Sequence, residues 1–563
     1  MKFIVEKYRL HTRYLGLVGF IITLNARLLA VTLSGHLSDY VTGNDLAQVN
    51  VIIISNDHAI RDTVSTNSAG DWEYSGEFST ITHVSGLPNE FKVSQNYPNP
   101  FNPGTSIDFS VDRTGYVEII VHNVLGQELD SKRKMLYAGN YRIDWKSTGA
   151  AGVYFYTLRF NGKSKTRKMI QLDGGSGGGL SEISGTSFRQ TSELAKVSAL
   201  PLTIIYDKFA YVADTVSVTV TDDEHFETVM ETIHNSLTLI DLHNDLLEQM
   251  LDDPNYHWMP EHNYHHTDIP RLIRGGVDIQ FFVVWINPNS GSYITNPYQG
   301  AQAALSLFNR ELDLNPGYIQ QARTYDEAIS INTDNKIAAV MCVEGGHTIE
   351  NNLDNLITLY DAGMRYLTIT WNNSTDWAVS AQDSRSATVG LSEFGYQVIR
   401  TLDSLGVIID VSHVGIKTIQ DILATTTNPI IASHSGARAI TDRYRNLYDD
   451  QILAIADGGG VVGVVFYPYF ISGSRTASID QVIAHIDHIV DLVGIDYVAL
   501  GSDFDGIEVT VTGLEDVSKF PDLSLALLEH GYSKEDLAKI VGKNFQRVFE
   551  QVCGKPPAKY ALH

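Results

Sequence analysis

Two cysteines in 563 residues, Cys342 and Cys553, are too few and too far apart to frame a fold with disulfides. Basic residues are also scarce: 41 Lys plus Arg stand against 66 Asp plus Glu, a formal charge of -25. Such a field repels nucleic acid and anionic membrane surfaces, so neither is expected as a partner. Apolar runs able to cross a hydrocarbon layer of about 30 Å are missing as well. The one candidate, Tyr14 to Leu24, is too short; it follows a basic start and precedes small residues at Ala26 and Ala30, as an export signal does. Residues 1–30 are therefore expected to be a signal peptide or an N-terminal anchor. One core cannot serve a chain of this length, and roughly three domains are expected.

What is present changes texture along the chain. From Val31 to about Phe78 short alternating runs and turns, such as Val51-Ile-Ile-Ile-Ser55 and Asp62 to Tyr74 with its Gly70-Asp-Trp72 turn, predict part of a small β-sandwich. A matching strand pair comes much later, in Leu202 to Tyr211 and Thr215-Val-Ser-Val-Thr-Val220. Together, residues 31–86 and 198–234 resemble a carboxypeptidase regulatory-like domain interrupted by an insert. The insert, residues 87–173, carries Tyr97-Pro-Asn-Pro-Phe-Asn-Pro103, Val117-Glu-Ile-Ile-Val121, Val124-Leu-Gly-Gln127, Gly152-Val-Tyr-Phe-Tyr156 and Lys168-Met-Ile-Gln-Leu172. Its prolines fix an extended lead-in that cannot pair as a central strand, and the alternating runs supply a second sandwich. These motifs resemble the sorting domain of the bacterial type IX secretion system. That resemblance implies export to the periplasm, cell surface or exterior of a Gram-negative cell, with contact to secretion machinery, although such domains normally end their chains. Residues 174–197, opening Gly174-Gly-Ser-Gly-Gly-Gly179, read as a flexible linker.

Strands and helices alternate from Ser236 onward. Candidate strands are Leu237 to Asp241, Val277 to Trp285, Ile337 to Val343, Arg365 to Thr370, Val407 to Val411, Pro429 to Ser433, Val461 to Phe466 and Tyr497 to Gly501. Amphipathic stretches between them, including Ala301 to Leu312, Leu391 to Leu405 and Ile479 to Leu492, complete the pattern of a TIM (β/α)8 barrel over residues 236–556. The fold class is thus α/β, a TIM barrel preceded by two small all-β sandwich domains.

Five polar clusters follow candidate strands 1, 3, 5, 6 and 8: Asp241-Leu-His243-Asn-Asp245, Glu344, Ser412-His413, Ser433-His434 and Asp503-Phe-Asp505. Catalytic groups of a TIM barrel sit at these strand ends. His243 and Asp245, two apart, leave the same face of a strand. Carboxylates and imidazoles in this mixture suit a pair of divalent cations about 3.5–4 Å apart, with Glu344 able to bridge and His413 and His434 able to flank.

At these residues the chain resembles the membrane dipeptidase (renal dipeptidase) family. The resemblance spans residues 237 to 550 through Asp241-Leu-His-Asn-Asp-Leu246, Val343-Glu-Gly-Gly-His347, Gly363-Met-Arg-Tyr-Leu-Thr368, Gly390-Leu-Ser-Glu-Phe-Gly395, Ile409-Asp-Val-Ser-His-Val414, Ser433-His-Ser435, Arg445-Asn446, Gly501-Ser-Asp-Phe-Asp-Gly506 and Gly513-Leu-Glu-Asp-Val-Ser-Lys519. It implies two zinc ions per chain, with His243 and Asp245 on one, Glu344 bridging, and His413 and His434 on the other. It further implies hydrolysis of dipeptides by a hydroxide between the ions, D-residues being accepted at the C-terminal position, and it leaves room for a homodimer. Asp503 matches the proton-transfer carboxylate, so Asp503 and Glu344 are the expected catalytic pair. Arg445 matches the residue that meets the substrate carboxylate, and Tyr467 a substrate-contacting tyrosine; His347 is expected to line the pocket.

One position departs from that pattern. After Leu367-Thr-Ile-Thr370 the family commonly has a histidine beside the substrate carbonyl, whereas this chain has Trp371, then Asn372 and Asn373. Indole cannot accept a proton or replace an imidazolium. The stretch His257 to His266 lacks regular ligand spacing and reads as a loop over the pocket, and His485 and His488 read as surface groups on a helix. Two rival readings remain at this stage: another amidohydrolase, against which His-x-Asp rather than His-x-His on strand 1 argues, and a retired scaffold, against which the complete ligand set argues.

Overall fold

Along Asn50–Ser55 the side chains of Val51, Ile53 and Ser55 are buried while those between them are half-exposed, the signature of a strand with one face on a core. The computed structural model describes residues 29–55, 61–78, 88, 90–147, 149–173, 175, 177–187 and 200–554. The expected export signal lies outside them, apart from the first residues of the opening strand. No helix among the described residues is long and apolar enough to cross a membrane.

The first sandwich draws on both ends of the N-terminal half. Glu224–Met230, Leu29–Asp39 and Asp71–Phe78 form one sheet, and Asp214–Val220, Leu200–Asp207, Asn50–Ser55 and Arg61–Ser65 the other. Trp72 stacks on Phe226 at 6.2 Å between ring centroids, so residues far apart in sequence close one core. Between these halves the chain builds a second sandwich, its core including Phe101, Trp145, Tyr154 and Tyr156.

Within the expected linker, residues 177–187 depart from that expectation, and 188–197 lie outside the described residues. Gly179–Leu180 and Ser184–Ser187 pair antiparallel with Gly139–Lys146, and Lys132 Nζ donates to the Ser181 carbonyl. Composition signals flexibility, but an open sheet edge supplies partners for the segment's backbone groups.

The barrel follows as eight parallel strands: β1 Leu239–Asn244, β2 Val277–Trp285, β3 Ile337–Glu344, β4 Met364–Thr368, β5 Ile408–Asp410, β6 Ile431–Ser435, β7 Val461–Val464 and β8 Val498–Leu500. Each lies in its expected place, though β5 and β7 are shorter than their apolar runs. An added strand, Ile319–Gln321, pairs with β3 and carried no signal beyond its three residues. The seam between β1 and β8 closes just above β8, where Asp503 N–H donates to the His243 carbonyl at 3.0 Å and Asp245 N–H to the Phe504 carbonyl at 2.9 Å. Those bonds clamp two polar clusters together. At the other end, Phe545 and Phe549 of the helix Asn544–Cys553 meet Phe281 of β2 at 5.0 and 5.5 Å, plugging the barrel floor with apolar rings. Polar groups can therefore gather only at the strands' C-terminal mouth.

Candidate metal centre and substrate cavity

Six side chains converge at that mouth, none more than 8% exposed: His243 and Asp245 from the end of β1, Glu344 from β3, His413 after β5, His434 on β6 and Asp503 after β8. His243 Nε2 lies 3.3 Å from Asp245 Oδ2 and 3.7 Å from Glu344 Oε2. On the other side His413 Nε2 is 2.9 Å and His434 Nε2 3.5 Å from Glu344 Oε1, and the two Nε2 atoms are 3.1 Å apart. Ligand atoms at about 2.0–2.1 Å on one tetrahedral ion stand roughly 3.3 Å apart, so this spacing is that of a ligand shell. Two groups, Glu344 with His413 and His434, and His243 with Asp245 and Asp503, each bring their donor atoms within 4.8 Å of one another. His243 Nε2, Asp245 Oδ1 and Glu344 Oε1 are buried without a hydrogen-bond partner, a costly state that a shared cation removes.

The outer ring of contacts sets the imidazoles for that task. Tyr366 of β4 donates its hydroxyl proton to the Leu242 carbonyl at 2.9 Å, so its oxygen accepts from His243 Nδ1 at 2.8 Å. Ser433 donates to Asp410 Oδ2 at 2.7 Å and accepts from His434 Nδ1 at 2.8 Å. Asn372 Oδ1 accepts from His413 Nδ1 at 3.1 Å. Each ring thus keeps its proton on Nδ1 and turns Nε2 toward the centre. Asp410 also comes within reach of His243 and His434, but both its oxygens already accept bonds, from Ser412, Thr368 and Ser433. Asp241 is likewise satisfied by Ser502 and Gln280. These two carboxylates position; they do not offer free lone pairs.

Electrostatics agree with the geometry. Burial, reinforced by the Arg445 charge, lowers His413 to about 4 and His434 well below the usual imidazole value, so both are neutral. For Glu344 burial opposes ionisation, but the charge on His243 outweighs it and holds the carboxyl well below its ordinary value. Burial pushes His243 down, yet Asp245 and Glu344 raise it well above normal: a proton stands where a cation fits. Burial lifts Asp503 well above the carboxylate range. His413, Asp503 and the neighbouring Asp505 all have left-handed backbone, φ 67°, 65° and 68°, which a non-glycine residue keeps only where its surroundings enforce it.

Above the cluster opens a cavity of about 450 Å³ whose walls include Arg445, Trp371, Tyr467, Glu248 and Glu508. Arg445, 2% exposed, donates from Nη2 to the His434 carbonyl at 3.1 Å, while Nε and Nη1 have no partner. These spare N–H donors and the guanidinium charge are available to a carboxylate. Trp371 rests on Trp285 at 4.9 Å and lies 6.1 Å from the His413 ring. Tyr467 donates to Glu508 Oε2 at 2.9 Å.

Some expectations need correction. His347 is not part of this lining: its Nε2 donates to the Ile286 carbonyl at 2.8 Å, and Gly345 and Gly346 turn the ring away after β3. His485 is not a surface group; it is fully buried, accepting from Ala437 N–H and donating to the Ile471 carbonyl, because its helix presents that side to the barrel. The His257 to His266 stretch is tied to the scaffold, with His257 on Glu311, and His265 and His266 line a neighbouring cavity. Glu248 and Glu508 had been missed. Glu248 lies one helical turn after Asp245 on α1, Leu246–Asp252, a spacing that could have flagged it.

A parallel barrel with two such donor groups at its mouth defines the class: a metal-dependent hydrolase. Residues 227–555 match the family of membrane dipeptidases, peptidase family M19, and residues 95–171 match the secretion system C-terminal sorting domain. The chain belongs to the membrane dipeptidase family, which supports metallo-dipeptidase activity, and the sorting domain suggests export by a secretion route. An uncharacterised dipeptidase of Schizosaccharomyces pombe is 36% identical over 330 residues, 55% of this chain and 80% of its own length. Among solved structures, dipeptidase AC, an M19 metallopeptidase, is 28% identical with a TM-score of 0.53, covering 57% of this chain and 99% of its own. A Rhodobacter sphaeroides metallopeptidase, liganded with a phosphinate mimic of L-Ala-D-Ala, is 27% identical with a TM-score of 0.52, covering 56% and 99%.

Proposed function

We propose that this chain is an exported two-zinc dipeptidase that cleaves dipeptides with a free C-terminal carboxylate, including those with a C-terminal D-residue. The observation that carries the reading is the convergence of unpartnered His243 Nε2, Asp245 Oδ1 and Glu344 Oε1 with His413 and His434 under a cavity lined by Arg445, two of whose nitrogens lack partners. His243 and Asp245 would hold one ion, His413 and His434 the other, with Glu344 between. A zinc pair supplies a Lewis acid for the scissile carbonyl and brings the pKa of water from 15.7 to about 7.

The protein's own groups do the rest. Arg445 binds the terminal carboxylate through an unpartnered N–H donor and its charge, which fixes the scissile bond one residue away, over the cluster. Asp503, placed beside His243 and Asp245 at the edge of the cluster, takes a proton from the attacking water and delivers it to the departing amine. Trp371 and Tyr467 wall the cavity; with indole where an imidazole is usual, Asn372 is the amide the chain offers beside the carbonyl. Acceptance of a C-terminal D-residue is supported by the relative that carries a mimic of L-Ala-D-Ala. Hydrolysis of a dipeptide panel, set against the matching tripeptides and C-terminal amides, tests the reading. Dipeptides alone should be cleaved, and only without chelator; equal cleavage of the amides would refute it.

A further inference from the structure

The hydrolysis described above leaves two carboxylates of the cavity without a task. Glu508 accepts from Tyr467, and Glu248 stands in the same wall after Asp245; neither pairs with a Lys or Arg among the described residues. Arg443, the other guanidinium of this cavity, is held by the Tyr469 and Gly473 carbonyls. Beyond the wall lies a second cavity of about 400 Å³, which shares Glu248, Gly506, Ile507 and Glu508 with the first. Among the described residues no Lys or Arg lines it. Asp505 does, 3% exposed, with Oδ2 lacking any hydrogen-bond partner while Oδ1 accepts from His266 N–H at 2.7 Å. His266 brings no charge, since its Nδ1 accepts from Asp505 N–H and burial lowers its pKa.

The paired cavities are therefore polarised. Arg445 lies against His434, on the half of the centre formed with His413, and its free N–H groups claim the substrate carboxylate. Glu248 and Glu508 lie on the Asp245 side. A dipeptide anchored by its carboxylate at Arg445 and lying across the cluster points its N-terminal residue at this acidic wall. The α-ammonium is one carbon from the scissile carbonyl and must stay over the cluster, whereas the second cavity needs a longer reach, such as the four-carbon stem of lysine. We propose that the second cavity is the subsite for the side chain of the substrate's N-terminal residue, and that Glu508, Glu248 and Asp505 select lysine or arginine there. This specificity rests on the dipeptidase reading above.

The test is a matched series with a constant C-terminal alanine: Lys-Ala and Arg-Ala against norleucyl-Ala, which keeps the stem and lacks the charge, and Glu-Ala. In the zinc-loaded wild-type protein kcat/KM for the basic pair should exceed that for norleucyl-Ala by about 10-fold or more, with Glu-Ala poorest. In Glu508→Gln, and independently in Glu248→Gln, the basic-to-norleucyl ratio should fall to about 3 or less. A ratio within one preparation is unaffected by partial misfolding. Equal rates for lysine and norleucine in the wild type, or a ratio unchanged in both variants, would overturn the proposal. Absence of hydrolysis across the whole series would instead overturn the dipeptidase reading, and the subsite with it.

Discussion

The Tyr366 hydroxyl lies 2.8 Å from His243 Nδ1, on the side of the ring away from Asp245 and Glu344. It fixes which nitrogen is free. In Tyr366→Phe the ring loses its acceptor and the Leu242 carbonyl its donor, so zinc affinity should drop by about 10- to 100-fold. Competition against a chromogenic chelator reads this directly; an unchanged affinity would mean the hydroxyl does not hold the tautomer.

Arg445 presents two unpartnered nitrogens to the cavity. Arg445→Met is expected to lower kcat/KM on dipeptides by about 100-fold or more, chiefly through KM. Zinc content should stay the same, as this side chain touches only the His434 carbonyl on the metal side. A loss in kcat alone would place the guanidinium elsewhere in the reaction.

Trp371→His restores the imidazole usual in the family while leaving Asn372 on His413. A smaller ring gives up contact with Trp285, a cost of roughly 1 kcal/mol. Metal content should hold, and kcat should rise by roughly 10-fold as a donor reaches the carbonyl oxygen. Displaced metal, or a flat kcat, would contradict the role given to this wall.

Burial, with Asp245, Glu344, Asp252 and Asp503 around it, pushes Glu248 from the usual 4.5 up to about 9. In the metal-free protein the folded state then keeps a proton that the unfolded chain gives up above its ordinary value. The stability linked to this group is complete below about pH 4.5 and is lost as pH rises through about 9. Comparing chelator-treated Glu248→Gln with wild type, the difference in Tm should move in favour of the variant between pH 5 and pH 9. A constant difference would show that the carboxyl is solvated.

The barrel was legible because eight β-branched runs alternate with amphipathic helices, and the ligands because each follows such a run. His347 was misplaced for a reason that spacing hides: Gly345, at φ 89°, swings the chain after Glu344 so that the ring turns to Ile286. His485 was misjudged because an i, i+3 pair of histidines on a helix carries no mark of which one faces inward. Tyr366 and Asn372 read as an apolar-run residue and a loop residue, and their roles exist only once the barrel closes, bringing β4 across to β1 and the turn after β4 to the end of β5. Glu248 and Glu508 are far apart in sequence, and only the fold brings them into one wall.

The central claim is a hydrolytic centre built from His243, Asp245, Glu344, His413 and His434. Its most direct test is to strip the protein with chelator and follow hydrolysis of a dipeptide as zinc is returned in measured equivalents. Activity should be absent at zero and reach a plateau at two zinc ions per chain. Activity that survives complete stripping, or a plateau at one ion, would contradict that claim.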